Sequence, residues 1–230
     1  MGFKMFLTKN NKIKWNWILI GLAITIVLCI AGILFFDKPL FLFLRDFNWY
    51  GWTIFDKIYD SEIWLMISGL FALVIFVKKL IKSKSNNKKD TTKFSLKIFY
   101  SNFIEKSKDN YGFLIFCSVF LSGLIASFLK YSLGRQRPVF FEALGQSGFY
   151  PFTNEWAFNS MPSGHTTASF AGLVMMGLLF PKWKWATWSL AIIIGLSRVS
   201  YGAHWPSDII FGAFIGMVSA DLVKWFFYRK

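Results

Sequence analysis

The sequence predicts an all-α integral membrane protein, a bundle of six transmembrane helices with both termini cytoplasmic. Hydrophobic residues fill 55% of the 230 positions and phenylalanine alone 28, too apolar for an ordinary soluble chain. Uncharged runs recur, reaching 22 residues at Trp15–Phe36 and 20 at Asn110–Leu129. Either run crosses a hydrocarbon core of ~30 Å at ~1.5 Å per residue. Charge then sorts the connections. With six spans, segments 1–14, 78–109, 182–184 and 224–230 hold 19 of the 26 basic residues; with Asp221 near the inner end of the sixth span, that side has 4 of the 12 acidic residues, a net +15. The other side holds 7 basic and 8 acidic residues, a net −1, so the basic segments read as cytoplasmic.

Residues 2–17 form a basic arm ahead of the first span. That span is long for a signal peptide, and no small-residue cleavage pattern follows Phe35-Phe36-Asp37-Lys38-Pro39, so it is expected to remain as an anchor. An outer connection, Asp37–Glu62, carries Trp49, Tyr50, Trp52 and Tyr59, as an interfacial belt or as part of a route that admits lipid. Ile63–Val77 is the second span, lengthened by Leu80 and Ile81 if Lys78 and Lys79 snorkel. Residues 78–109 are a basic cytoplasmic connection, its first half a solvated linker and Phe94–Tyr111 a candidate surface helix.

The third span is Asn110–Leu129 and the fourth Ser163–Pro181. Trp185–Ser197 and Ile209–Phe227 form a helical hairpin around the loop Arg198–Asp208, with Asp221 near the end of the sixth span. Cys29 and Cys117 fall inside spans and read as packing residues. No repeat divides the chain, so residues 1–230 form a single domain.

Both histidines of the chain lie among residues suited to phosphate. In His204-Trp-Pro-Ser-Asp208, the four-residue spacing puts His204 and Asp208 on one face of a helix. There a carboxylate holds one ring nitrogen's proton and leaves the other nitrogen to attack. Arg198 precedes His204 by six residues and supplies a cation for the phosphate. Pro162-Ser163-Gly164-His165 reads as a helix start whose amides face an anion. Lys130, Arg135 and Arg137 add three cations within eight residues. In the six-span topology the region 130–208 gathers all of these at the outer membrane edge. Metal chemistry fits poorly, because two histidines and an aspartate stand among four cations that oppose a bound metal ion.

Lys130-x6-Arg137-Pro138, Pro162-Ser163-Gly164-His165 and Ser197-Arg198-x5-His204-x3-Asp208 together resemble the three signature motifs of the type 2 phosphatidic acid phosphatase superfamily. The resemblance implies that His204 is the nucleophile and becomes a phosphohistidine, with Asp208 orienting it. It implies that His165 protonates the leaving oxygen and then assists water. Lys130, Arg137 and Arg198 would clamp the phosphate with Ser163 and the Gly164 backbone, and neither metal nor other cofactor is required. It also implies a lipid phosphate or pyrophosphate substrate, with phosphatidylglycerophosphate, phosphatidic acid, undecaprenyl pyrophosphate and lipid A as alternatives.

A lipid substrate also suits a site at the membrane boundary, on the periplasmic or outer face of a bacterial cytoplasmic membrane. The aromatic segment Val139–Met161 would form either a greasy wall beside the clamp or an interfacial cap. Arg135 reads equally as a substrate contact or as surface charge, and Tyr201 and Trp205 as site lining or interface anchors. The inner basic segments suit anionic phospholipids, and no nucleic-acid-binding module is visible. A phosphotransferase with a different acceptor and a non-enzymatic lipid transporter are the competing classes, and the oligomeric state is open.

Overall fold

The computed structural model describes residues 6–8, 10–47, 51–84, 104, 105 and 107–229. They are almost wholly helical: α1 (Trp15–Ala31), a π turn (Gly32–Phe36), α2 (Asp37–Arg45), α3 (Gly51–Ile58), α4 (Ser61–Lys84), α5 (Tyr111–Leu133), α6 (Pro138–Leu144), α7 (Gly164–Leu179), α8 (Lys184–Ser200) and α9 (Pro206–Tyr228). All six expected spans fall on helices. Three of these are long and apolar enough to cross a membrane: the continuous Trp15–Arg45 run, α5 and α9. Helix α7 is apolar but only 16 residues long.

The distribution of side chains is inverted relative to a soluble protein. Large apolar residues such as Val27, Leu34, Phe35, Ile67, Leu70 and Phe128 are exposed, while Ser118, Ser122, Thr166, Ser169, Ser197 and Ser219 are buried. Hydrocarbon solvates the first set, whereas small hydroxyl residues let helices approach and bond to one another. Ser118 Oγ, for example, donates to the Ala171 carbonyl across α5 and α7 at 2.9 Å. Helix α7 lies at the centre, packed by α5, α8 and α9 and flanked by α4. Its Leu173, Val174 and Met175 join Leu114, Ile194 and Val223 in the main apolar core.

Local chemistry explains the ends nearest the site. Asn110 caps α5 by accepting the Phe113 N–H at 3.0 Å, and its amide ties α5 to the Ala72 carbonyl of α4. Helix α5 runs one turn beyond the expected span and stops at Gly134, whose φ of 58° is the left-handed conformation of a helix-ending glycine. A Cβ there would overlap the Tyr150 carbonyl. Proline opens α6 and α9, where its missing N–H costs no helical bond.

The expected outer connection Asp37–Glu62 is largely helical instead. The first helix passes through the π turn, in which the Asp37 N–H donates to Gly32 O, and continues to Arg45. A charged residue ends an apolar run in sequence, but Asp37 is neutralised by partners from elsewhere, so the helix need not end with the run. Gly32 permits the approach: a Cβ would stand 2.9 Å from that of Ser207. Trp49, Tyr50, the 85–103 part of the expected inner connection and most of the candidate surface helix Phe94–Tyr111 lie outside the described residues.

Candidate active site

Four chain segments meet at one end of the bundle: the close of α5 with the turn after it, the start of α7, the α8–α9 loop and the π turn with α2. Asp208 is their hub and is fully buried. Its Oδ1 accepts Arg135 Nη1 at 2.6 Å, and its Oδ2 accepts Ser160 Oγ at 2.5 Å and the Trp205 N–H at 2.9 Å. Its backbone carbonyl accepts the Ser163 N–H at 3.2 Å, which joins the starts of α9 and α7.

His204 and Asp208 do not share a helical face, contrary to the spacing argument. Pro206 begins α9, so His204 lies in the preceding loop, and the Asp208 carboxylate turns back from the first helical turn toward it. The resulting separation is 3.5 Å between His204 Nδ1 and Asp208 Oδ2. His204 is 2% exposed, and its N–H donates to the Arg198 carbonyl at 3.3 Å. Burial pushes its pKa well below the ordinary 6.5. Asp208 opposes that shift, and the charges of Arg137 and Lys130 reinforce it. The imidazole is therefore neutral at neutral pH.

Two of the expected clamp cations, Lys130 and Arg137, lie beside this pair. Lys130 Nζ donates to the Asn159 carbonyl at 2.5 Å, and Arg137 Nη2 reaches the same oxygen at 3.3 Å. Arg137 also donates to the Ala203 carbonyl beside His204 and to Trp156 O. Arg198 is buried in the last turn of α8, with its guanidinium 5.1 Å from the Tyr201 ring centroid. Ser163 is the N-cap of α7. Its hydroxyl oxygen accepts from the Thr166 N–H and hydroxyl, so Gly164 and His165 occupy the first helical turn, as expected. His165 Nε2 lies 3.3 Å from Asp60 Oδ2, in the turn before α4.

Arg135 is not on the surface. It is 5% exposed and clasped between Asp208 and Asp37, with Nη2 2.6 Å from Asp37 Oδ2. Burial alone would discourage its charge, but the two carboxylates outweigh burial and raise its pKa. Asp37 also accepts the Ser207 N–H and hydroxyl at 2.9 and 2.6 Å. Trp205 is buried as well, between Phe41 and Phe141, with its indole N–H on the Gln136 carbonyl, and this placement faces it into the protein rather than the interface. Tyr201 remains at the surface, 37% exposed.

Sequence reasoning missed Asp37, Asp60, Ser160 and Ser207. Asp37 and Asp60 sit far from every motif, and the one available sign was a carboxylate at the end of an apolar run. Among the described residues, no three His, Cys, Asp or Glu side chains are grouped to hold a metal ion.

The sequence model of the PAP2 superfamily matches residues 111–230, which include Lys130, His165, His204 and their neighbours. The chain belongs to the PAP2 superfamily. This PAP2 chain is 42% identical over 113 residues to a lipid A 1-phosphatase of Rhizobium johnstonii, covering 47% of the chain and 46% of that relative. It is 44% identical over 105 residues to a lipid A 1-phosphatase of Rhizobium etli, covering 46% and 45%. The chain spans about half the length of the curated relatives it matches. It is also similar to the crystal structure of Aquifex aeolicus LpxE, with 20% identity, a TM-score of 0.47, and 82% of this chain and 94% of that one covered.

Proposed function

We propose that this protein is a metal-independent lipid phosphatase that works through a phosphohistidine on His204. The observation that carries the proposal is a buried His204 with its pKa held down, 3.5 Å from the Asp208 carboxylate and beside the cations Lys130 and Arg137. With Nδ1 toward Asp208, Nε2 attacks phosphorus in line as the bond from phosphorus to the lipid oxygen breaks. His165 delivers a proton to that departing oxygen. Water then attacks the phosphohistidine and gives a proton to His165. The phosphorus–nitrogen bond breaks and phosphate leaves. Lys130, Arg137 and Arg198, with Ser163 and the Gly164 amide at the α7 start, hold the phosphoryl oxygens. These cations supply the charge a metal would otherwise bring. Residues 130–208 are the catalytic region of a single domain.

A groove of about 330 Å³ between α4, α5 and α7 supports a lipid substrate. Its lining follows α5 from Val119 to Lys130, with Leu65, Phe120, Leu124 and Ala168 as apolar walls and Gly164 beside the site. The groove gives the acyl chains a place outside the loop Val139–Met161. That loop's Phe152 is exposed, as in an interfacial cap, while the Trp156 ring lies over the Arg137 guanidinium with Cζ 4.4 Å from its centroid, as in a wall beside the clamp. The Rhizobium relatives make lipid A the first substrate to test.

The charge asymmetry of the sequence supports six spans with both termini cytoplasmic, the site facing the periplasm or exterior of a bacterial cytoplasmic membrane, and anionic phospholipids around the inner basic segments. Phosphate release should be followed in detergent from lipid A, phosphatidic acid, phosphatidylglycerophosphate and undecaprenyl pyrophosphate, with chelator present and His204→Ala as the blank. Release that survives chelation and vanishes in the variant, with an acid-labile phosphoprotein trapped on quenching, is expected. Turnover that persists in His204→Ala would exclude the nucleophile.

A further inference from the structure

We propose that Asp60 is the positioning residue for His165, so that the site contains two aspartate–histidine pairs with separate tasks. The inference rests on the proposed phosphatase reaction and adds a residue that no motif contains. Asp60 is built to hold still. Its Oδ1 accepts the Glu62 N–H at 2.7 Å and its carbonyl accepts the Trp64 N–H at 3.0 Å, so it forms the cap of α4 and that bond holds its side chain. The remaining oxygen, Oδ2, faces His165 Nε2 at 3.3 Å. The helix that carries Asp60 is itself registered against the helix that carries His165. The Trp64 ring lies where a Cβ on Gly172 of α7 would meet it at 3.0 Å, and Tyr59 tilts over the same ring, with centroids 6.5 Å apart.

A carboxylate on one ring nitrogen fixes the rotation of an imidazole and selects which nitrogen meets the substrate. With Nε2 toward Asp60, Nδ1 of His165 is the nitrogen that donates to the leaving oxygen and later takes the proton of the attacking water. The pair is also unlike the first in its setting. The side chains of His165 and Asp60 are 15% and 36% exposed, against 2% and 0% for His204 and Asp208. A proton donor that must be recharged each cycle stays near water, while the nucleophile is kept dry.

The test compares kcat/KM on two leaving groups: whichever of lipid A, phosphatidic acid and phosphatidylglycerophosphate has the highest wild-type turnover, whose alkoxide needs a proton, and p-nitrophenyl phosphate, whose phenolate does not. His165→Ala sets the scale, with an expected loss of about 100-fold or more on the lipid, in the range of general acid catalysis, and a much smaller loss on p-nitrophenyl phosphate. Asp60→Asn is expected to lose roughly tenfold or more on the lipid and under about threefold on p-nitrophenyl phosphate, with KM nearly unchanged and Asp60→Glu recovering most of the loss. Equal losses on both substrates, or none, overturn the role of Asp60 while the His165 control leaves the phosphatase reaction standing. If Asp60→Asn does not yield folded protein, Asp60→Glu and Asp60→Ser are read on the same two substrates by the same criteria. A wild-type protein that releases no phosphate from any lipid overturns the proposed function, and the Asp60 assignment with it.

Discussion

At the scale of single residues, the site is governed by what is kept dry. His204 is buried and its pKa lies below 6.5, so a mechanism that needs it neutral should tolerate acid better than an ordinary histidine would allow. As pH falls, the attacking nitrogen stays unprotonated until the depressed pKa is reached. The acidic limb of kcat/KM is therefore expected below pH 6.5, and a limb at or above that value would show that another group controls attack. Arg135 leads to a second expectation. Its guanidinium sits between two buried carboxylates, and removing one partner of such a pair costs roughly 3–5 kcal/mol. Asp37→Ala should lower the thermal unfolding midpoint in detergent and slow turnover by freeing the arginine that steadies Asp208. A variant that melts and turns over like the wild type would remove Asp37 from the network. Spacing within each motif made His204, Asp208, His165 and the clamp legible as candidates, because the residues of one motif are local in sequence. Asp37 and Asp60 were not legible, since their partners are 98 and 105 positions away and only tertiary packing joins them.

At the scale of elements, hydrophobic runs located the helices well and their ends less well. An apolar run records where lipid stops, whereas a helix stops where its caps are. Helix α5 passes the end of the expected span because Lys130 and Tyr131 continue it until Gly134 turns the chain under Tyr150. The first helix likewise crosses Asp37-Lys38-Pro39, where sequence signals suggested a loop, through a π turn whose extra residue re-aims Asp37 toward Ser207. Gly134 is the sharpest test of this account. Gly134→Ala places a side chain at positive φ against a backbone carbonyl, a strain of order 1–3 kcal/mol before any clash is relieved. The midpoint of thermal unfolding should fall and lipid turnover should drop with it, because Lys130, Arg135 and Arg137 flank that turn. Equal stability of Gly134→Ala and the wild type would mean that the turn relaxes without cost.

At the scale of the whole molecule, composition and charge revealed the membrane setting at once, because both are sums over many residues. The arrangement of helices around α7 was not legible, since the buried serines and threonines that pack it carry no periodic apolar signature. The proposed topology is tested with single cysteines in a background with Cys29 and Cys117 replaced by serine. In intact cells, Gly148→Cys should react with a membrane-impermeant maleimide and Lys182→Cys only after permeabilisation. The reverse pattern would invert the orientation, and labelling of both from outside would end the six-span proposal.

The clasp between Arg135 and Asp37 bears on how far the protein can be divided. A fragment of residues 111–230 carries every signature motif, yet it would leave Arg135 with one of its two carboxylates and Ser207 without the oxygens that hold its amide and hydroxyl. The amino-terminal helix is therefore a structural part of the candidate site, not an interchangeable tether. Swapping it for a foreign anchor, or supplying it as a separate chain, should succeed only where the incoming helix restores an aspartate at that depth.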